Sequence, residues 1–258
     1  MDAHASPTGT TTPAANYHAT DATAADMPTQ SPDEVAAARA ALQGSVAERL
    51  WVGMRAFSRL LQNPDDTKQV FVMGLVINAH RFPGFISRFV SDPSGAALLR
   101  DRPTIDSRSV DFAALAELPP DTLGGAFARH MKENNLNPDL FQPPPGLPDS
   151  AAYIVQRIRQ THDLWHLLTG YRTDILGELA LQGFYYGHIG MPSSFLISVF
   201  GTLRYAGKFR KLHPFQTVRE GYRRGKQAAF LPTIKWEDWW TLPLSEVRRR
   251  VNIDPIAA

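Results

Sequence analysis

Two histidines four residues apart, followed by a glutamate, constrain this chain more than any other feature of its sequence. They are His162, His166 and Glu178, in the stretch T-H-D-L-W-H-L-L-T-G-Y-R-T-D-I-L-G-E that begins at residue 161. Residues four apart lie on the same face of an α-helix, and two imidazoles on one face can bind a single metal ion. In an unbroken helix Glu178 would lie about 120° around the axis from His166, so the three side chains meet only if the chain turns back.

The residues between His166 and Glu178 predict such a reversal. Gly170 follows His166 by one turn, and glycine often ends a helix. Thr173 is suited to cap a second helix. A helix, a tight turn and an antiparallel helix would return Glu178 to the histidines. We therefore predict a metal centre, closed by a helical hairpin, with His162, His166 and Glu178 as ligands.

Asp163 is a further candidate for the same site. In a regular helix it points about 100° away from the histidine face, so it would reach the ion from the rim, or orient a ligand histidine or a bound water. The alternative is that the two histidines bind no metal and lie on the helix surface or in the core. The surrounding leucines and Trp165 favour burial, and buried ionisable groups need partners. Because the chain has no cysteine, the ligands are nitrogen and oxygen, which leaves zinc, iron, manganese and magnesium open.

The spacing of apolar residues, with the positions of proline and glycine, predicts an all-α fold. We expect one helical domain at residues 31–258, preceded by an acidic arm at residues 1–30 that is too poor in large apolar side chains to be ordered. Predicted helices lie at 35–61, 68–79, 85–90, 94–101, 111–118, 122–133 and 151–169, the last capped by Asp149 and Ser150, with a final helical segment at 236–253. A strand is the alternative at 68–79, but no second strand-like segment is present to pair with it.

Residues 179–203 contain no Asp, Glu, Lys or Arg, which raises the question of a membrane span. The polar, helix-breaking insert at 187–194 argues against a span, because residues 179–186 and 193–203 are each too short to cross a bilayer. Two buried helices near the metal centre explain the pattern better. Their aromatic residues would form core or line an apolar channel; these residues are Phe184, Tyr185, Tyr186, Phe195 and Phe200.

Residues 204–226 are strongly basic, with eight Lys and Arg residues against Glu220 alone. A solvated helix face, an anionic membrane surface and nucleic acid all remain open, although no nucleic-acid motif accompanies the charge. The first 38 residues hold five acids and no Lys or Arg, so the remainder is about +7 and suits an anionic partner. The absence of cysteine and of an N-terminal signal pattern predicts a reducing, bacterial cytoplasmic location.

The motif as a whole resembles the family of ubiquinone (coenzyme Q) biosynthesis proteins that carry H-D-x-x-H-x(11)-E. The likeness covers about residues 45–254 and includes further short stretches in the same order. These are Arg102-Pro103, L-P-P-D-T-L-G at 118–124, residues 153–159, Trp236-Glu237, Pro243-Leu244 and Val247-Arg248.

The resemblance implies a peripheral membrane protein that binds a divalent metal, zinc first, through His162, Asp163, His166 and Glu178. It implies that these four residues serve C1 decarboxylation and hydroxylation of a polyprenylated hydroxybenzoate. The implied partners are this aromatic lipid, the inner-membrane surface and other ubiquinone-biosynthesis proteins, with a homodimer left open and nucleic acid excluded.

Two other functions remain open at this point. One is a non-catalytic scaffold that binds the polyprenyl lipid, organises other ubiquinone-biosynthesis enzymes and holds a structural metal. The other is a metal-dependent hydrolase, which would need distant ligands, and His80, His130 and His213 are the candidates. Loss of turnover with an intact fold in Glu178→Ala would distinguish catalysis from a structural ion.

Overall fold

The fold is all-α, as predicted, in the computed structural model, which describes residues 32–63, 67–144 and 146–256. The only β-bridge in this part is an isolated one between Thr122 and Pro243. The predicted disordered arm at residues 1–30 lies outside the described residues. The helices are α1 Pro32–Gln43, α2 Val46–Gln62, α3 Thr67–Ile77, α4 Phe82–Ser91, α5 Pro93–Asp101, α6 Phe112–Ala116, α7 Leu123–Glu133, α8 Asp149–Gln160, α9 His162–Thr169, α10 Ile175–Ile189, α11 Pro192–Tyr205, α12 Pro214–Gln227 and α13 Leu244–Arg250.

The main apolar core surrounds α9 and α10. Trp165, Leu181 and Phe184 are fully buried in it, together with Phe127 of α7 and Trp236 near the C-terminus. A second apolar cluster joins α1, α2 and α3, and a third joins α4, α5 and α8. The candidate metal residues therefore lie on the two helices that the largest core encloses.

Glycines bring α10 and α12 into backbone contact. Gly183 and Gly187 of α10 face α12, while Gly221 and Gly225 of α12 face α10. A Cβ atom at Gly221 would collide with the carbonyl oxygen of Ala180, and one at Gly187 with that of Tyr222. Since only glycine lets two helix backbones approach so closely, these four residues fix α12 against the helix that carries Glu178.

A buried ion pair links three of the stretches that carry the family resemblance. Arg157 of α8 is 1% exposed and donates to both carboxylate oxygens of Glu237, at 2.6 and 2.7 Å. The hydroxyl of Tyr153 donates to the carbonyl of Pro103, at 3.1 Å. Arg102-Pro103, the region 153–159 and Trp236-Glu237 thus meet at one place in the fold.

Several predicted helix boundaries were wrong. The helix predicted at 35–61 is interrupted at Gly44 and Ser45, because the Ser45 hydroxyl accepts from the Glu48 amide and caps α2. The helix predicted at 151–169 is two helices, α8 and α9, that meet at Thr161. The Thr161 hydroxyl donates to the Ile158 carbonyl, a local bond that competes with regular helix geometry.

Two other predicted segments also differ from the observed helices. α8 begins at Asp149 and has no side-chain cap, so the predicted cap at Asp149 and Ser150 was wrong. The final segment contains a short 3-10 helix, Trp236–Trp239, and then α13. Pro243 precedes α13, and a proline disfavours helical backbone in the residue before it.

The uncharged segment forms α11 and most of α10, and neither is a membrane span. Among the described residues no single helix is long and apolar enough to cross a bilayer. By length and composition alone, a bent pair remains a candidate: Gln69–Ile77 with Phe82–Ser91, bent by 86°. Phe184 and Tyr185 are core residues as expected, but Phe195 and Phe200 are 44% and 41% exposed. The prediction that both belong to the core was wrong, and the alternative that they line an apolar channel stays a prediction.

Candidate metal centre

A helical hairpin forms between α9 and α10. Gly170 ends α9 with a φ of 77°, a left-handed conformation that glycine adopts without strain, and its amide donates to the His166 carbonyl at 2.9 Å. Asp174 caps α10 by accepting from the Gly177 amide at 2.9 Å. Thr173, the predicted cap, instead donates its hydroxyl to Asn134. The reversal occurs where the sequence predicts it, with the cap one residue later.

The reversal brings His162, His166 and Glu178 together. One ligand atom from each lies within 4.8 Å of the others. His166 Nε2 is 3.0 Å from Glu178 Oε1, and His162 Nε2 is 3.7 Å from Glu178 Oε2. Two imidazole nitrogens and one carboxylate oxygen, each able to bind at about 2.0–2.2 Å, are a donor set for a divalent ion such as zinc.

The orientation of His166 fits a metal ligand. Its Nδ1 lies 2.9 Å from the Tyr171 carbonyl oxygen, and because that oxygen only accepts, Nδ1 carries the proton. In the neutral ring the lone pair is therefore on Nε2, the atom that faces Glu178 Oε1. Two acceptors at 3.0 Å repel each other unless a proton or a cation lies between them, and a backbone carbonyl holding the distal nitrogen is typical of metal-bound histidine.

In the metal-free site, a proton lies between His166 Nε2 and Glu178 Oε1. Complete burial opposes the charged form of His166, but the Glu178 carboxylate, its hydrogen bond and the Asp163 charge outweigh burial and raise the pKa of His166 to about 9. The pocket is thus strongly cation-attracting, since two carboxylates and two imidazoles share a buried space.

Asp163 lies beside the three-residue group and outside it. It is 5% exposed, and its Oδ1 is 3.5 Å from His162 Nδ1. His162 Nδ1 is the nitrogen opposite the one that faces Glu178, so Asp163 is placed to orient the His162 ring. The structure therefore gives the orienting role a geometric basis, while direct coordination by Asp163 stays a prediction.

Aromatic rings enclose the His162 side of the site. The rings of His162 and Tyr185 stack with centroids 5.8 Å apart, and Tyr185 stacks on Trp165 at 4.2 Å. Burial, followed by the nearby carboxylates, raises the pKa of Tyr185 well above its usual value, so its hydroxyl keeps its proton. His162, with a side chain 15% exposed, is more accessible than His166 at 0% and Glu178 at 9%.

His130 of α7 is a neighbour that the motif does not reveal. Its ring stacks on His166 with centroids 6.3 Å apart, and burial lowers its pKa although Asp163 opposes the shift. Asn134, held by the Thr173 hydroxyl at 2.8 Å, contacts His130 Nδ1 at 3.4 Å. Among the candidate distant ligands only His130 lies near the centre, because His80 and His213 are exposed and outside the group. No sequence signal distinguishes His130 from them.

His188, to which the sequence gives no role, is a core residue. Its Nδ1 donates to the Gly225 carbonyl at 3.1 Å, and its Nε2 accepts from the Leu231 amide at 3.1 Å. Burial lowers its pKa to about 4. The neutral ring therefore connects α10, α12 and the C-terminal segment.

These features define a class: an all-α protein with a buried His-His-Glu site closed by a helical hairpin. Residues 40–257 match the sequence model of the family described as Coenzyme Q (ubiquinone) biosynthesis protein Coq4, and the chain belongs to that family. This confirms the predicted resemblance.

Individual relatives agree with this assignment. The mitochondrial ubiquinone biosynthesis protein COQ4 homolog of Rattus norvegicus is 28% identical over 209 residues, which are 81% of this chain and 79% of that protein. The Danio rerio homolog is 31% identical over 195 residues, 75% of this chain and 72% of its own length. A crystal structure described as a ubiquinone biosynthesis protein from Nostoc punctiforme superposes with a TM-score of 0.63 at 26% identity, covering 77% of this chain and 95% of that one.

Proposed function

We propose that this ubiquinone biosynthesis protein is a metal-dependent oxidative decarboxylase that acts on a polyprenylated hydroxybenzoate at the membrane surface. It would replace the C1 carboxyl group of the ring by hydroxyl. The observation that carries the proposal is the meeting of His162, His166 and Glu178. Three protein ligands leave one position open on a tetrahedral ion, which is the arrangement of catalytic rather than structural zinc sites.

Each site residue has its own role in this proposal. His166 and Glu178, both buried, would hold the ion firmly, and the Tyr171 carbonyl fixes the His166 ring. The more exposed His162 marks the side from which substrate approaches, beneath the Tyr185 ring. A bound divalent ion would supply Lewis-acid stabilisation for the ring carboxylate and phenolate. Asp163 would hold His162 in place and accept or return a proton.

The proposed reaction needs an oxidant. Replacing an aryl carboxylate by hydroxyl breaks the bond between the ring and C1 carboxyl, releases CO2, adds one oxygen and removes two electrons from the substrate. We name dioxygen as the two-electron acceptor, reduced to hydrogen peroxide, and water as the source of the new hydroxyl oxygen, because zinc itself does not change oxidation state. Membership of the Coq4 family supports the ubiquinone pathway as the source of the substrate.

Labelled substrate tests this proposal. The full chain, loaded with zinc, would be given polyprenyl hydroxybenzoate carrying 13C in the carboxyl group, with and without dioxygen. We expect 13CO2 and a hydroxylated ring in equal amounts, only with dioxygen. Glu178→Ala should lose at least about 100-fold in turnover, as expected when an essential electrostatic group is removed, while retaining its helical content. His80→Ala is the matched histidine control and should keep full activity.

The second candidate is a lipid-binding scaffold with a structural ion, which would organise other ubiquinone-biosynthesis proteins. The depth of the site favours it, since His166 is 1% and Glu178 7% exposed. In that case Glu178→Ala would unfold the protein on metal loss, and no 13CO2 would appear with any oxidant. Native mass spectrometry of gently extracted protein would report the metal, the bound lipid and the subunit number together, which also tests the homodimer.

A further inference from the structure

Helix α11 is packed with its small polar residues inward and its large apolar residues outward. The buried stripe consists of Ser194, Ser198 and Thr202, and the latter two hydroxyls donate to carbonyls of their own helix. On the opposite side Phe200 is 41% and Leu203 56% exposed. A helix on the surface of a globular protein usually has the reverse arrangement.

Helix α2 extends this apolar surface. Four of its large apolar side chains are between 60% and 70% exposed: Val46, Leu50, Trp51 and Met54. Phe57 lies on the same helical face as Leu50 and Met54, and its ring contacts that of Phe200 on α11, with centroids 5.0 Å apart. The exposed residues of α2 and α11 therefore form one continuous surface, named here the α2–α11 face, and isolated apolar residues are common whereas continuous patches mark interaction sites.

Basic residues follow the α2–α11 face at the end of α11. Arg204, Lys208, Arg210 and Lys211 are exposed, and no ion pair holds any of them within the described part of the chain. Residues 179–219 contain no Asp or Glu. An apolar surface with an uncompensated positive border matches an anionic bilayer, which offers acyl chains below a layer of negative headgroups.

Other occupants fit the α2–α11 face less well. The 31 residues before Pro32 contain only Met1, Tyr17 and Met27 as large apolar side chains, so their composition offers little apolar surface to match the face. A second copy of the chain would bring the same basic border into the contact without supplying acids from α11. Trp51 and Tyr205 are also amphipathic rings of the kind that favours membrane interfaces.

We propose that the α2–α11 face is the surface by which this protein docks on an anionic lipid bilayer. Trp51, Met54 and Leu203 enter the acyl boundary, and Lys208 and Arg210 contact the headgroups. This docking proposal takes the membrane location from the proposed function. It adds the residues that contact the membrane.

Helix α11, which carries part of the docking surface, packs against α10, the helix that carries Glu178. The backbone of α11 at Gly201 packs directly on Leu179, so that a Cβ atom there would collide with the Leu179 side chain. Leu179 is the neighbour of Glu178, and packed helices lie about 8–10 Å apart. A lipid at the docking surface is therefore separated from Glu178 by at least the thickness of α11.

Vesicle flotation of the full chain tests the proposal. The vesicles would be phosphatidylcholine alone, or phosphatidylcholine with phosphatidylglycerol at 3:1. We expect binding to the anionic vesicles, and a loss of about tenfold or more in the triple variant Trp51→Ser, Met54→Ser, Leu203→Ser. The variant Lys208→Gln, Arg210→Gln, Lys211→Gln should lose at least about tenfold on anionic vesicles only. Val90→Ser, an apolar residue of α4 that is 47% exposed, is the matched control.

Several results would overturn the docking proposal. These are triple variants that bind like the wild type, equal binding of the wild type to neutral and anionic vesicles, or a wild-type dimer that the apolar variant converts to monomer. Circular dichroism establishes that each variant is folded, and quenching of Trp51 by brominated lipid, absent in Trp51→Phe, is a second readout. Glu178→Ala should float like the wild type. A docking failure with turnover retained in detergent would therefore refute the surface and leave the proposed function standing.

Discussion

Replacing Glu237 by glutamine should destabilise the whole fold, because it leaves the Arg157 guanidinium buried without its counterion. Arg157 is 1% exposed, and among the described residues its other hydrogen bonds go to the carbonyls of Ile234 at 3.4 Å and Pro103 at 3.5 Å. Removing one partner of such a pair costs about 3–5 kcal/mol. For a domain of this size each kcal/mol lowers Tm by roughly 2–4 °C, so we expect Tm to fall by roughly 6–20 °C.

Urea denaturation followed by circular dichroism measures this free energy, and two controls separate its causes. Asp101→Asn removes the partner of Arg100, in a pair whose side chains are 53% and 71% exposed, and should cost at most about 1 kcal/mol. The double variant Arg157→Met, Glu237→Leu replaces both charges by apolar groups and should recover most of the loss. A cost below about 1 kcal/mol for Glu237→Gln, or a double variant as unstable as the single one, would refute the reasoning.

Three further predictions concern titration, metal binding and helix packing. His188 is neutral when folded, with a pKa of about 4 against 6.5 unfolded, so stability is complete above pH 6.5 and falls by about 3 kcal/mol as pH drops to 4; His188→Gln should flatten this slope in urea titrations. Because the pKa of metal-free His166 is about 9, zinc binding at pH 7 should release about one proton, measured calorimetrically in buffers of different ionisation enthalpy. Gly221→Val should lower the free energy of unfolding by about 1–3 kcal/mol or more, because it overpacks the contact between α10 and α12. In Gly84→Val the new side chain meets no neighbour within 4 Å of its Cβ, and thermal melts should show a loss of less than about 1 kcal/mol.

The sequence predicted the metal hairpin because all of its determinants are local. The spacing of His162 and His166 depends on helix geometry alone, and Gly170 is a strong local end signal. The cap was assigned to Thr173 rather than Asp174 because both are good caps, and only the contact of Thr173 with Asn134 on α7 decides between them. That contact joins residues 39 positions apart.

The features that the sequence did not reveal depend on distant partners. His130 is one of several isolated histidines, and only the packing of α7 against α9 brings it to His166. The exposure of Phe195 and Phe200 was missed because an uncharged run looks the same whether its apolar side faces the core or the outside. The break at Thr161 depends on one hydroxyl, which a pattern of apolar residues does not record.

The backbone contact between α10 and α12 has a mechanical consequence for the route that any ligand takes to Glu178. Four glycines place the backbone of each helix against carbonyl groups of the other, so rotating or sliding either helix would disturb contacts along its length. Helix α11 instead meets α10 through side chains, with Leu179 against Gly201 and the ring of Phe195 against that of Tyr186. We therefore expect any opening of the fold toward Glu178 to involve movement of α11 rather than of α12.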